Sequence, residues 1–134
     1  MASDLTKYLG NKIARWLAGQ AMPTAPTNLY MALFNGDPRA SGTEVTTTVS
    51  STGRKAITWS VPASNDVDNV LASSAAVSFG NSEGDTDITH TAVFDASSGG
   101  KMLSCKTVTG GTASVVTGQP VSFGAGDIKF TLGA

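Results

Sequence analysis

The sequence is short of the residues that carry most protein chemistry. Its 134 residues include one cysteine, Cys105, and one histidine, His90. A lone cysteine forms no internal disulfide, and one His with one Cys leaves little material for a metal site built from those ligands. Charge is scarce as well: nine basic against ten acidic side chains give a net charge of −1, and charged residues are 14% of the chain. No strong field points at DNA, RNA or an anionic membrane, so neither nucleic acid nor membrane is expected as a partner. The longest unbroken apolar run is Leu29–Phe34, too short for a signal-peptide core or a membrane span. The protein is therefore expected to be made and kept soluble in a cytoplasm. No H-E-x-x-H or Walker-type loop occurs, which removes the common sequence marks of zinc hydrolases and P-loop nucleotide-binding enzymes.

What the chain has in quantity is 15 Gly, 15 Ser and 17 Thr, so that 47 positions are small or hydroxylated. That composition suits strands and turns better than helices. The length predicts one domain over residues 1–134, able to bury roughly two-thirds of its unfolded surface without a disulfide or metal staple.

One helix is predicted, at about residues 4–18, where Leu5, Tyr8, Leu9, Ile13, Trp16 and Leu17 recur at three-and-four spacing. Ser3 is the expected N-cap, Asp4 suits the positive end of the helix dipole, and Gly19 can end the helix in the left-handed conformation. Lys12 falls in the apolar arc and is expected to snorkel its ammonium outward. On the other side Gly10, Ala14 and Ala18 form a stripe of small residues at which another backbone could approach closely. The plain reading is that Ala and Gly line a solvated side of the helix; the sharper one is that the helix is covered by its own sheet on one side and by another subunit on the other.

From residue 28 onward the hydrophobic period is 2. Asn28–Phe34 is apolar on both faces, as in a central strand with the helix on one side and the core on the other, and it stops at Asn35-Gly36-Asp37-Pro38. Lys55, Ile57, Trp59 and Val61 alternate with smaller residues up to Pro62. Further strands are predicted at about 69–73, 75–80, 88–95, 101–108, 113–117, 119–124 and 127–133, with a hairpin turn at Asp95–Gly100. The fold class is thus mainly β: an antiparallel sandwich or partly closed barrel of seven to eight strands, residues 28–134, with the helix packed on it. Val77-Ser78-Phe79-Gly80 returns as Val121-Ser122-Phe123-Gly124. These are expected to be two similar strand ends with the aromatic inward, since two copies are too few for a solenoid. Residues 39–53 have no apolar period beyond Val45 and Val49, and read as a long loop or an extended arm completed by a partner.

Candidate chemistry is thin. Cys105 alternates with Leu103 and reads as a small buried hydrophobe, and His90, in register with Ile88, Ala92 and Phe94, reads as a half-buried strand residue. The acidic loops at 66–68 (Asp66, Asp68) and 83–87 (Glu83, Asp85, Asp87) could supply oxygen ligands to Ca²⁺, but they lack the full calcium-loop pattern and read as solvated turns. Trp16, Trp59, Tyr8 and Tyr30 all occupy apolar periodic positions and are assigned to core packing. No catalytic residue, cofactor or metal is predicted. Association is the function class that remains.

Several blocks carry a resemblance. The opening helix is followed by P-T-N-L-Y-M-A-L-F-N-G-D-P (Pro26–Pro38), G-T-E-V (Gly42–Val45), R-K-A-I-T-W (Arg54–Trp59), T-H-T-A-V-F-D-A-S-S-G-G-K-M-L (Thr89–Leu103) and F-G-A-G-D-I-K-F-T-L (Phe123–Leu132). In this order they resemble a family of short tailed-bacteriophage structural proteins commonly labelled phage tail fibre proteins. The chain departs from that family at Thr46–Thr52, where its members tend to be glycine-rich. The resemblance implies a virion component and no enzyme.

A fibre shaft needs a coiled coil, a β-helix or serial repeats, and the chain has no heptads and too few repeats for one. A compact domain with an exposed arm suits a head decoration or cement protein, which binds the major capsid protein and stabilises the assembled shell. That role is the expectation, and a tail fibre or tail-tip module that contacts tail proteins during host attachment is the alternative. In either place copies of the chain are expected to form a trimer or another small cyclic oligomer. The expected contact residues are Gly10, Ala14 and Ala18 on the helix, and Glu44, Val45 and Val49 on the arm.

Overall fold

The structure is a computed structural model that describes residues 5–61 and 70–131. The expected cap Ser3, the acids Asp4, Asp66 and Asp68, the strand stop at Pro62, and the ends of the strands expected at 69–73 and 127–133 lie outside those residues. The fold is mainly β, with antiparallel sheets and one N-terminal helix. Among the described residues no sheet closes into a barrel.

The main sheet is built around β1 (Leu29–Asn35). One edge of β1 pairs with β8 (His90–Phe94), which pairs in turn with β9 (Met102–Thr107). The other edge is shared by two short strands, β2 (Thr43–Glu44) opposite Phe34 and Asn35, and β3 (Lys55–Ile57) opposite Leu29, Tyr30 and Met31. Three smaller sheets complete the layers. They pair β4 (Trp59–Ser60) with β5 (Val70–Ser73) and β12 (Lys129–Thr131), β6 (Val77–Asn81) with β11 (Pro120–Phe123), and β7 (Thr86–Ile88) with β10 (Ala113–Val115). Met31 and Leu33 face the large core with Ile57, Val77, Phe79, Ile88 and Val93. Ala32 and Phe34 face a second, smaller cluster with Ala92 and Cys105. An apolar run on both faces is what a central strand requires, as the sequence predicts.

Two of the expected strands are each divided in the structure, because the chain changes sheets within them. After β3 pairs with β1, Thr58 turns the chain so that β4 pairs with β5, and the Thr58 carbonyl accepts from Ser74 N–H at 2.9 Å. After β7 pairs with β10, Thr89 redirects the chain into β8. Its N–H donates to the Phe34 carbonyl at 2.9 Å and its Oγ1 accepts from Gly36 N–H at 2.6 Å. Strands that switch sheets make the corners of orthogonally packed layers. An alternating pattern does not reveal such a corner, because the inward set continues through it. The two V-S-F-G segments pair with each other: Val77 lies opposite Phe123 and Ser78 opposite Ser122, with a bulge that makes Phe79 the extra residue. Phe79 points inward as expected and meets Phe123 edge to face at 6.2 Å.

The segment expected to be an arm is folded into the domain. Gly42 passes so close to the β1–β2 turn that a Cβ there would lie 2.3 Å from the Gly36 carbonyl oxygen, so only glycine fits. Residues Thr46–Val49 then form one helical turn, α2, with Val45, Thr46, Val49 and Ser50 buried. The reason lies in β1. Neither β2 nor β3 reaches Leu33, whose backbone would otherwise be an unpaired edge inside the core. Val45 N–H donates to the Leu33 carbonyl at 2.8 Å, and Thr46 Oγ1 accepts from Leu33 N–H at 2.9 Å. The Thr46 hydroxyl proton goes to Glu44 Oε2 at 2.7 Å. Arg54 closes the chain of bonds: Nε and Nη2 hold the two Glu44 oxygens at 3.0 and 2.8 Å, and Nη1 donates to the Ala96 and Gly99 carbonyls. Its guanidinium carbon lies 3.7 Å from the centroid of the Phe94 ring.

Thr46→Val keeps the shape and removes the acceptor for Leu33 N–H. An orphaned buried donor costs about 1–3 kcal/mol, so the urea midpoint should fall with an unchanged slope; an unchanged midpoint would remove Thr46 from this role. The Arg54 guanidinium, bonded to Glu44, holds the Glu44 carboxyl below its ordinary value of 4.5. A lowered folded-state pKa contributes stability above the unfolded value that is lost as pH falls through the folded one. Thermal midpoints should therefore drop as pH is taken below about 4.5, and Arg54→Met should flatten that part of the profile. Equal slopes in the two proteins would contradict the pairing.

Candidate functional site

Helix α1 spans Lys7–Leu17 and starts later than the sequence predicts, because Leu5 forms an isolated β-bridge and Thr6 is the N-cap. Leu5 bridges Ser104, Thr6 N–H donates to the Leu103 carbonyl at 3.0 Å, and Thr6 Oγ1 donates to the Met102 carbonyl at 2.6 Å. Thr6 is then the N-cap, its Oγ1 accepting from Leu9 N–H at 3.4 Å. Gly19, at φ 90°, ends the helix as expected. These bonds cover part of the outer edge of β9 and fix the first turn of α1.

Beyond that turn the helix leaves the sheet. It touches the edge strand β9 and does not cover β1, so the expected placement over the central strand is corrected. Leu9 packs against the core, but no residue of α1 is fully buried. At 100° per residue Trp16 has nearly the phase of Leu9. It lies two turns further on, with no sheet beneath it, and is 56% exposed. The assignment of Trp16 to core packing is therefore corrected, whereas Trp59 does pack against the core. Leu17 is 74% exposed and Met22 45%. Gly10 is half-buried, and Ala14 and Ala18 are exposed, so the small-residue stripe lies on the open part of the helix. Lys12 lifts its ammonium over the Tyr8 ring, 5.3 Å from the centroid. Beside the helix runs a cleft of about 460 Å³ floored by Leu9, Leu103, Pro23 and Pro26.

The other expected contact residues are placed differently. Val45 and Val49 belong to the large core and have no surface to offer, and Glu44 is engaged by Thr46 and Arg54. The correction follows from the gap in β1, which draws this segment inward.

No catalytic geometry assembles around the other candidates. His90 and Cys105 share a face of the main sheet, with His90 opposite Thr107 and Cys105 opposite Ala92. Cys105 is 1% exposed, forms no disulfide and packs in the small cluster. His90 is half-buried, as expected, and its nitrogens face Thr89 Oγ1 at 2.9 Å and Thr107 Oγ1 at 3.5 Å. Thr89 Oγ1 accepts from Gly36 N–H and has both His90 Nδ1, at 2.9 Å, and the Phe34 carbonyl, at 3.4 Å, within reach.

The acids at 83–87 staple loops. Glu83 accepts from Ser51 N–H, Asp85 from Thr117 N–H and Oγ1 at 2.8 and 2.9 Å, and Asp87 from Ser114 Oγ at 2.8 Å. Those bonds hold the Glu83 and Asp85 carboxyls below their ordinary values. Among the described residues no three His, Cys, Asp or Glu side chains converge on a metal position.

An exposed tryptophan contributes little to folding. Trp16→Ala should shift stability by no more than about 0.5 kcal/mol, whereas Ile88→Ala, in the core, should cost about 2–5 kcal/mol. Chemical denaturation of both variants checks the contrast, and a core-sized loss for Trp16→Ala would mean that the helix is buried in the isolated chain.

No curated protein matches the chain. A family model described as Podophage GP4 fiber I protein gp80 matches residues 4–131, which takes in α1, both core clusters and the twelve strands of the described residues. The chain belongs to that family of phage fibre-type structural proteins, which are components of the virion.

Proposed function

We propose that the chain is a non-enzymatic module of the phage tail fibre, working through protein contacts in the fibre assembly. The observation that carries this reading is the outer half of α1 and the segment after it, where Trp16 and Leu17 are exposed on the helix and Met22, also exposed, lines an apolar cleft. Exposed large apolar side chains grouped in this way mark protein contact sites. Tail proteins and further copies of the chain, in a cyclic or serial arrangement, are the partners this surface suits. The stripe Gly10, Ala14 and Ala18 lies on the opposite side of the helix from Trp16, and its exposed part, Ala14 and Ala18, permits close helix approach there.

The family description speaks for a fibre position over the capsid. Head decoration would rest on a clamping arm at residues 39–53, and that segment is folded against the domain, with Val45, Thr46, Val49 and Ser50 buried. The lack of heptads and serial repeats still applies, so the chain serves as a joint or terminal module rather than a shaft. A structural role without catalysis agrees with the buried Cys105 thiol and with His90 held between two threonines.

Purified particles should be separated into heads and tails and each fraction quantified for this chain. The reading expects it with the tails, at a copy number set by fibre symmetry. Recovery with tail-free heads in hundreds of copies would overturn it in favour of capsid decoration.

A further inference from the structure

Two surface features with opposite chemistry are left over by the fold. The first is the cleft beside α1, concave and apolar, with Lys12 on its rim. Lys12 and Lys101 place their ammonium groups 5.3 and 5.8 Å from the Tyr8 ring centroid, so two positive charges stand at one margin. Residues 5–36 contain three basic residues and no acidic one. Asp95, the one acid among the described residues lining the cleft, is already held by Lys101 N–H at 2.7 Å.

The second feature is the turn 116–119 between β10 and β11. Val116 is 56% exposed, although both strands beside it send valines inward. The turn is rigid by construction: Gly118 N–H donates to the Ser82 carbonyl and Ser82 N–H to the Gln119 carbonyl, both at 2.7 Å. Asp85 holds Thr117 through two bonds, and Asp87 holds Ser114 on the neighbouring strand. Both carboxylates are exposed, so a preformed convex surface presents one valine flanked by two negative charges.

We propose that copies of the chain associate head to tail, with turn 116–119 of one copy seated in the α1 cleft of the next. Val116 enters the apolar floor, while Asp85 and Asp87 face Lys12 and Lys101. The two surfaces are different patches of one chain, so the contact is heterologous and generates a ring or an open filament according to the rotation between copies. Preorganisation of the turn lowers the ordering cost of binding. This deepens the fibre reading and rests on it for its place in the particle, whereas the contact itself is tested in solution.

The full-length chain is followed by sedimentation velocity from about 10 to 500 μM, a range that detects weak interfaces at the small end of the size scale. The weight-average sedimentation coefficient should rise with concentration. The rise should shrink between about 0.1 and 1 M salt, where the Debye length falls from ~10 to ~3 Å. Lys12→Glu spoils the cleft and Val116→Asn spoils the turn. Each variant alone should stay monomeric with an unchanged circular dichroism spectrum, and a 1:1 mixture should form dimers and nothing larger, because each supplies one intact surface. Should Val116→Asn misfold, Asp87→Lys takes its place in the mixture. A wild-type chain that is monomeric throughout, variants that associate as the wild type does, or a mixture of folded variants that stays monomeric would each overturn the proposal without bearing on where the protein sits in the particle.

Discussion

The architecture depends on the backbone of Leu33. Its strand lies between β8 on one edge and two short strands on the other, and those two strands leave Ala32 and Leu33 unpaired, of which Leu33 has its N–H and C=O bonded to residues 46 and 45 instead. A bare N–H and C=O inside an apolar core would cost several times a normal hydrogen bond's net contribution. The fold resolves this with Val45 N–H and the Thr46 hydroxyl, and the rest of the polar network follows in sequence. The hydroxyl proton needs an acceptor and finds Glu44. Glu44 needs a counter-charge and finds Arg54, whose remaining donors reach the Ala96 and Gly99 carbonyls of the β8–β9 hairpin. One unpaired strand position thereby ties residues 42–55 to a turn more than forty positions later in the chain. Arg54 is nearly buried, yet it has a bidentate partner, two carbonyls and an aromatic face, which are the conditions under which a buried charge is tolerated.

Stability and function are divided between different parts of the molecule. The network and the two core clusters occupy the β layers, and the candidate thiol, imidazole and carboxylates are all used there as packing groups or loop staples. Helix α1 is held through its first turn, by residues that pair with β9. Its outer half is free to make contacts without loss to the core, which is the property expected of an element kept for assembly. The rigid turn after β10 has the complementary character, being fixed internally and apolar at its tip.

Much of this was legible in the residues. The β class, the central strand at 29–34, the hairpin turn at 95–100, the buried Cys105 and the inward Phe79 follow from period, turn chemistry and composition. The single helix was legible too, but its start was not: Thr6 caps it because Leu5 and Thr6 are recruited to β9, a tertiary event with no local mark. Thr58 and Thr89 sit inside unbroken alternation, so the sheet changes there were invisible. The segment 39–53 misleads because its buried set is small. Val45, Thr46 and Val49 serve a gap in another strand, and a threonine in a core is recognisable only once its partner is known. Trp16 misleads in the opposite direction, since helical phase gives a face but not how far the sheet beneath it extends. The proposed contact surface was thus half visible: α1 was identified from its pattern, whereas Val45 and Val49 belong to the interior and Glu44, though exposed, is tied to Thr46 and Arg54.

The central claim is that the outer half of α1 and the cleft beside it are open in the isolated chain and covered in the particle. Amide hydrogen exchange of the purified chain and of intact virions, followed by peptide mass spectrometry, tests this directly. The account predicts faster exchange in residues 13–25 than in β1 and β8 for the isolated chain, and marked slowing of that same segment in virions. Equal exchange of residues 13–25 in the two samples would contradict it.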